Sequence, residues 1–228
     1  MEILRAAGRH QVLAIMAGLD GGNPIELIEL AGRIAYKSQD KISKDSAKKF
    51  VAMLRDRGHE SVIEHSAMTV RFSDVSRGFT HELVRHRLAS FTQESTRYVN
   101  ESNLQVVCPP DKDPDEAIAL ESYIAGIEAL SFREWIEMNE SMYKALLKHG
   151  WKNEDARQIL PIGIVAEIVV TANFREWRHI FELRCSKRAH WEIRSVMTSL
   201  LSDIQSRVPV VFDDFKIDGS VPYAEKIS

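Results

Sequence analysis

The sequence predicts an α+β fold: a mixed or antiparallel sheet flanked by helices, with one long helical segment. Three observations carry that expectation. Residues 66–73 switch to period two, with Met68, Val70 and Phe72 alternating with Thr69 and Arg71, as a half-buried strand requires. The β-branched run Ile164–Thr171 fits either a strand or a buried helical segment. The helical stretches fall in no strand–helix–strand alternation, and neither GxGxxG nor GxxxxGK[ST] occurs, which argues against a doubly wound sheet with a glycine-rich phosphate loop.

The elements follow in order. Asn23-Pro24 reads as a helix cap with proline at the first helical position, and Ile25, Leu27, Ile28, Ala31 and Ile34 recur at helical spacing. A second helix is expected from Lys44 to Arg57, striped by Phe50, Val51 and Leu54 and stopped at Gly58. After the strand, Asp74 is expected to cap a helix whose buried side is Val75, Phe79 and Leu83. Asp113-Pro114 is expected to open the longest helical stretch, ending near His149-Gly150 and divisible at Ser131. Its apolar positions would be Leu120, Ile124, Ile127, Trp135, Met138, Met142 and Leu146. Phe174–Arg184 and His190–Val208 read as helices.

Composition narrows the function classes. The chain has 228 residues, 44% hydrophobic and 28% charged, and no linker or repeat divides it, so a single domain over 1–228 is expected. Thirty basic against 33 acidic residues give a net charge of −3, which disfavours a general nucleic-acid coat while allowing a local basic pocket. Two cysteines, Cys108 and Cys185, rule out a disulfide scaffold. The amino-terminal apolar run is short and broken by charge, resembling neither a signal peptide nor a membrane span, and a cytoplasmic location is expected. The histidine spacings show no helical zinc pair and no HExxH, so no metal is expected.

The most informative segment is Arg85-His86-Arg87, followed by Ser90, Thr92, Gln93, Glu94, Ser95, Thr96, Arg97 and Tyr98. Cations suit a helix carboxyl end, and that alone accounts for Arg85 and Arg87. It does not account for the neutral donors and acceptors beyond them. Guanidinium forks grip phosphate oxygens in pairs and hydroxyls complete such a cradle, so a phosphorylated small molecule is the ligand class.

Arg-His-Arg, seven residues, then Ser95 and onward to Arg97-Tyr98 resembles the signature of the flavin-dependent thymidylate synthases. Other pieces agree in order: Gly58-His59-Glu60-Ser61 with Glu64-His65, then Arg157 before Leu160-Pro161. Asn173-Phe174-Arg175 with His179 and Leu183-Arg184, and Ala189 to Ile193, complete the set. The resemblance covers roughly residues 24 to 210.

It implies an α/β fold and methylation of dUMP to dTMP, with FAD as cofactor and NADPH and 5,10-methylenetetrahydrofolate as co-substrates. It also implies a homotetramer with active sites shared between subunits. By position, Ser61, Arg85, His86, Arg87, Gln93, Asn173, Arg175 and His179 would contact FAD. Glu82, Arg85, Gln93, Glu94, Ser95, Thr96, Arg97, Arg157 and Arg184 would contact the nucleotide, with Arg184 activating the uracil ring. The family position of Gln93 is often acidic, and that of His179 is a shorter polar residue in some members. Two competing readings remain open on the residues alone. One is a non-catalytic nucleic-acid or nucleotide-phosphate module using Arg77, Arg85, Arg87 and Arg97. The other is a thiol-dependent methyltransferase using Cys185, whose neighbour Arg184 could lower its pKa.

Overall fold

A computed structural model describes residues 1–6, 8–18, 21–124, 126–218 and 223–226. In chain order the elements are β1 (Glu2–Leu4), β2 (Arg9–Ile15), α1 (Pro24–Ala35), α2 (Ser46–Asp56), β3 (Ala67–Ser76), α3 (Arg77–Leu83), β4 (Ser90–Gln93), β5 (Gln105–Val107), β6 (Ile118–Ile124) and β7 (Ile127–Leu130). They continue with α4 (Phe132–Lys148), α5 (Asn153–Ala156), β8 (Val165–Asn173), α6 (Phe174–Arg184), α7 (Trp191–Arg207), β9 (Phe215–Asp218) and β10 (Tyr223–Lys226). The order is α+β, as expected. The largest sheet runs β2-β3-β8-β4. Parallel pairing (β1 with β5) and antiparallel pairing (β6 with β7, β9 with β10) both occur. No helix among the described residues is long and apolar enough to cross a membrane.

The chain divides into two compact units, each stitched from three segments. The first comprises Met1–Arg9, Ser73–Glu82 and Gln93–Ile168; the second comprises His10–Phe72, Leu83–Thr92 and Val169–Ser228.

In the second unit, Asn23 caps α1 by accepting the Ile25 amide at 3.1 Å, with Pro24 at the first helical position. Gly32 lets α1 approach α2: a Cβ there would lie 2.7 Å from Phe50 Cε1. The expected stripe on α1 is corrected in part. Ile25 and Ile28 are buried, but Ile34 is exposed, and Glu29 and Gly32 take the inner positions. Glu29 is tolerated there because Arg33 donates to it at 2.9 Å and the Ser46 hydroxyl at 2.9 Å. Phe50, Val51 and Leu54 are buried on α2, and Gly58 takes φ +70 just past its end. Met68, Val70 and Phe72 of β3 are fully buried, and Trp177 of α6 donates its indole N–H to the Met68 carbonyl at 3.0 Å. Phe174, Trp177, Phe181 and Phe212 complete this core, with Phe181 and Phe212 edge to face at 5.6 Å.

In the first unit, Leu104, Val106, Ile136 and Ile164 form the core under the β1–β5 pair. Two expectations are corrected here. Asp74 does not cap α3: it stands within β3 at φ +58 and accepts from Arg9 Nε at 2.6 Å. The cap is Ser76, whose hydroxyl accepts the Phe79 amide at 3.0 Å. The stretch from Asp113 to Gly150 is not one long helical run either. Its first half is the β6–β7 hairpin, turned at Gly126 with φ +87. Only the second half is helical, opening on a capping box in which Ser131 and Glu134 each bond the other's backbone amide. The inner face of α4 is Ile136, Asn139, Glu140 and Tyr143. The stripe read from sequence, Trp135, Met138 and Met142, is exposed in this chain. The run at 164–171 is extended: β8 takes it up from Val165, and Ile164 bridges Val106 just before.

Candidate active site

In the second unit, the turn after α3 and one face of α6 enclose a groove of about 540 Å³. Arg85, His86, Arg87, Leu88, Glu176, His179, Leu183 and Arg184 line it. The α6 register creates this wall. Asn173 starts the helix by accepting the Glu176 amide at 2.8 Å, so Glu176, His179, Leu183 and Arg184 fall at i, i+3, i+7 and i+8 on one side. The opposite side carries Phe174, Trp177 and Phe181 into the core.

At the centre, Arg184 Nε donates to His86 Nε2 at 3.0 Å. His86 is 4% exposed, and its pKa is lowered to about 4 by burial, by the Arg184 guanidinium and by the neighbouring His179. It is therefore a neutral acceptor. Its Nδ1 faces Glu176 Oε1 at 3.6 Å, and Glu176 is 6% exposed, its carboxyl pushed upward by burial. With the imidazole neutral, this is a polar contact and not an ion pair. The His179 ring meets His86 edge-on at 5.6 Å.

A second cavity of about 550 Å³ shares Leu88, Glu176 and His179 with the first and adds Asn173, Arg175, Glu60 and Glu64. Arg175 bonds Glu64 at 2.5 Å and lies 3.5 Å from Glu60. Ser61 is exposed on the 3-10 turn Glu60–His65, between those two glutamates.

The first unit holds the other half of the residues read from sequence. Arg157 and Thr96 line a cavity of about 490 Å³, and Arg157 Nη1 donates to the Thr96 hydroxyl at 3.3 Å. Arg97 is exposed and paired with Glu154 at 3.2 Å. Ser95 Oγ accepts the Arg97 amide at 3.4 Å. Gln93 donates to the Thr80 hydroxyl at 2.9 Å, while Glu94 is exposed. Glu82 is half-buried at the end of α3. Arg77 and His81, which the sequence alone does not place with the ligand, also line this cavity. Arg77 donates to the Glu94 carbonyl at 3.0 Å, while its buried Nε has no hydrogen-bond partner. Their signal was spacing: Arg77 and His81 stand i, i+4 on α3, one helical face.

Both cysteine thiols are buried and free, and burial pushes Cys185 up to about 12. Arg184 does not activate it, which removes the main support for the thiol reading. Among the described residues no cluster of His, Cys, Asp and Glu could hold a metal ion.

Residues 19–210 match the family model described as thymidylate synthase complementing protein. The flavin-dependent thymidylate synthase of Mycolicibacterium vanbaalenii is 37% identical over 205 residues, 87% of this chain and 81% of that one. That of Pyrococcus abyssi is 38% identical over 194 residues, 81% and 75% of the two chains. This chain belongs to the flavin-dependent thymidylate synthase family. Solved structures agree on the fold. A UMP/dUMP methylase from Streptomyces cacaoi superposes with TM-score 0.71 at 21% identity, covering 93% of this chain and 96% of that one. Thymidylate synthase X from Helicobacter pylori, solved with FAD and dUMP, superposes with TM-score 0.66 at 18% identity, covering 91% and 98%. Membership makes the chain an enzyme of the thymidylate synthase type.

Proposed function

We propose that this chain methylates dUMP to dTMP in the cytoplasm, with 5,10-methylenetetrahydrofolate as one-carbon donor and FAD reduced by NADPH. The observation that carries the reading is the Arg184–His86 contact in an arginine-lined groove of a chain belonging to this family. We read 1–228 as one catalytic domain, because the family match runs through both interleaved units.

The residues around the groove fit a flavin dinucleotide. Arg85, Arg87 and Arg175 offer guanidinium forks suited to a diphosphate, and Leu88, 80% exposed, offers an apolar surface suited to a ring. Ser61, Asn173, His86 and His179 complete the flavin set in this unit. The chemistry a bound flavin supplies is transfer of reducing equivalents from the nicotinamide.

The chain's own residues do the rest. Arg157, Arg97, Thr96 and Ser95 hold the nucleotide phosphate, joined by Arg77 through its unpartnered Nε, while Glu82, Gln93 and Glu94 of the same unit complete the nucleotide set. Arg97 must exchange Glu154 for phosphate. That exchange is cheap, because an exposed ion pair is worth only about 0–1 kcal/mol. Arg184 sets its guanidinium against the uracil edge, favours the ionised ring and raises electron density at the carbon to be methylated. His86, neutral and buried, fixes the Arg184 fork beforehand, so little reorganisation is needed as charge develops. We assign a homotetramer with shared active sites, supported by the apolar stripe that α4 leaves exposed and by the open rim at Leu88.

Purified protein given FAD, NADPH, methylenetetrahydrofolate and dUMP is expected to form dTMP and to carry flavin absorbance. A folded, flavin-loaded preparation that forms no dTMP overturns the reading.

A further inference from the structure

The groove around His86 holds one carboxylate among its lining residues, Glu176, and that carboxylate is buried among basic side chains. A charged group so placed is costly unless it has a partner to serve. Arg184 Nε carries a hydrogen and no lone pair, so His86 Nε2 must accept. A neutral imidazole has a single N–H, which is then on Nδ1. Glu176 Oε1 lies 3.6 Å from that nitrogen, longer than a hydrogen bond but close enough for its negative end to favour an N–H there. The opposite tautomer would set two N–H donors against each other at 3.0 Å, and a protonated ring would do the same. Which nitrogen of a histidine carries the proton is set by the partner of the other nitrogen. Of the other side chains lining this groove, Arg85, Arg87 and Arg184 can only donate and cannot accept from Nδ1.

Resting on the role of Arg184 proposed above, we propose that Glu176 is a positioning residue: its carboxylate stabilises the Nδ1–H tautomer of His86 that the Arg184 contact requires, and so helps hold Arg184 for the substrate ring. The sequence reading assigned Glu176 no role. Its place at the third position of α6 reads as complementing the helix amino end, yet its side chain is buried beside His86.

The test is nitrogen NMR of protein labelled with 15N-histidine, the His86 signal being assigned by its loss in His86→Gln. Wild type is expected to show one neutral tautomer, protonated on Nδ1, with and without FAD. Glu176→Gln keeps an acceptor oxygen and is expected to keep that tautomer. Glu176→Leu is expected to loosen the His86–Arg184 contact, so that the Nε2–H tautomer becomes populated, and to lower dTMP turnover by roughly tenfold, the scale on which outer partners of metal-bound histidines act. Flavin content should stay unchanged. Should Glu176→Leu misfold, Glu176→Ala makes the same measurement with less bulk. A folded Leu or Ala variant whose His86 signal matches wild type overturns the proposal. Because the signal is read without turnover, a wild-type protein inactive on dUMP would sink the proposed function and leave the role of Glu176 still decided by NMR.

Discussion

At the scale of single residues, Arg184 separates a catalytic arginine from a helix cap. As a cap, Arg184→Lys would keep the charge and cost little. In the geometry here, Arg184 bonds a buried imidazole through Nε, and its planar fork has N–H groups on more than one edge. Lysine has one ammonium centre and cannot serve His86 and a planar ring together. Arg184→Lys is therefore expected to lower methylation about a hundredfold while flavin reduction by NADPH is largely kept. Rapid-reaction measurement of the two half-reactions decides it; near-normal methylation would return Arg184 to capping. His86 makes a pH prediction. Its folded pKa, about 4, lies below the ordinary 6.5, so between those values the unfolded chain binds the extra proton. The His86 contribution to stability is complete above pH 6.5 and is lost as pH falls toward 4. Denaturant midpoints should fall across that window in wild type more steeply than in His86→Gln. The thiols make the opposite prediction. With Cys185 pushed to about 12 and both cysteines buried, Cys108→Ala with Cys185→Ala should keep substantial turnover at some cost in stability.

At the scale of elements, what was legible was whatever local chemistry fixes. Asn23-Pro24 opens α1, Gly58 follows α2, and the β3 alternation of Met68, Val70 and Phe72 survives intact because one face is fully buried. The hairpin before α4 was not legible, because Leu120, Ile124 and Ile127 fit spacings of three and four as well as an interrupted alternation. The deciding signals were Gly126, which supplies a positive φ, and the Ser131-x-x-Glu134 box, which starts a helix and does not interrupt one. Ser131→Ala removes an acceptor for the Glu134 amide and should destabilise the protein by about 1 kcal/mol, read as a lower denaturant midpoint without loss of helix signal elsewhere. At the site, the arginines were legible because their motif is dense. Arg77, His81 and Glu176 were not, since each sits at ordinary helical spacing and acquires meaning only from what the fold brings opposite.

At the scale of the whole molecule, α4 shows a conflict that a single chain does not resolve. Its buried face carries Asn139, Glu140 and Tyr143 beside Ile136, whereas its exposed face carries Trp135, Met138 and Met142, at 49%, 44% and 54% exposure. Trp and Met at i, i+3 and i+7 form an apolar stripe, the pattern of a helix that packs on another surface. A net charge of only −3 opposes self-association weakly. In the assembly proposed here, this stripe packs against another subunit, and the homotetramer buries it in a large apolar interface. Light scattering of the wild-type protein should then give a mass four times that of the chain. Trp135→Glu combined with Met142→Glu puts two carboxylates on the stripe without touching the inner face of α4 and should yield smaller, folded species. Those species should lose dTMP formation if subunits complete one another's sites. A wild-type monomer that binds FAD would defeat the assembly proposal, and so would a double variant of unchanged mass.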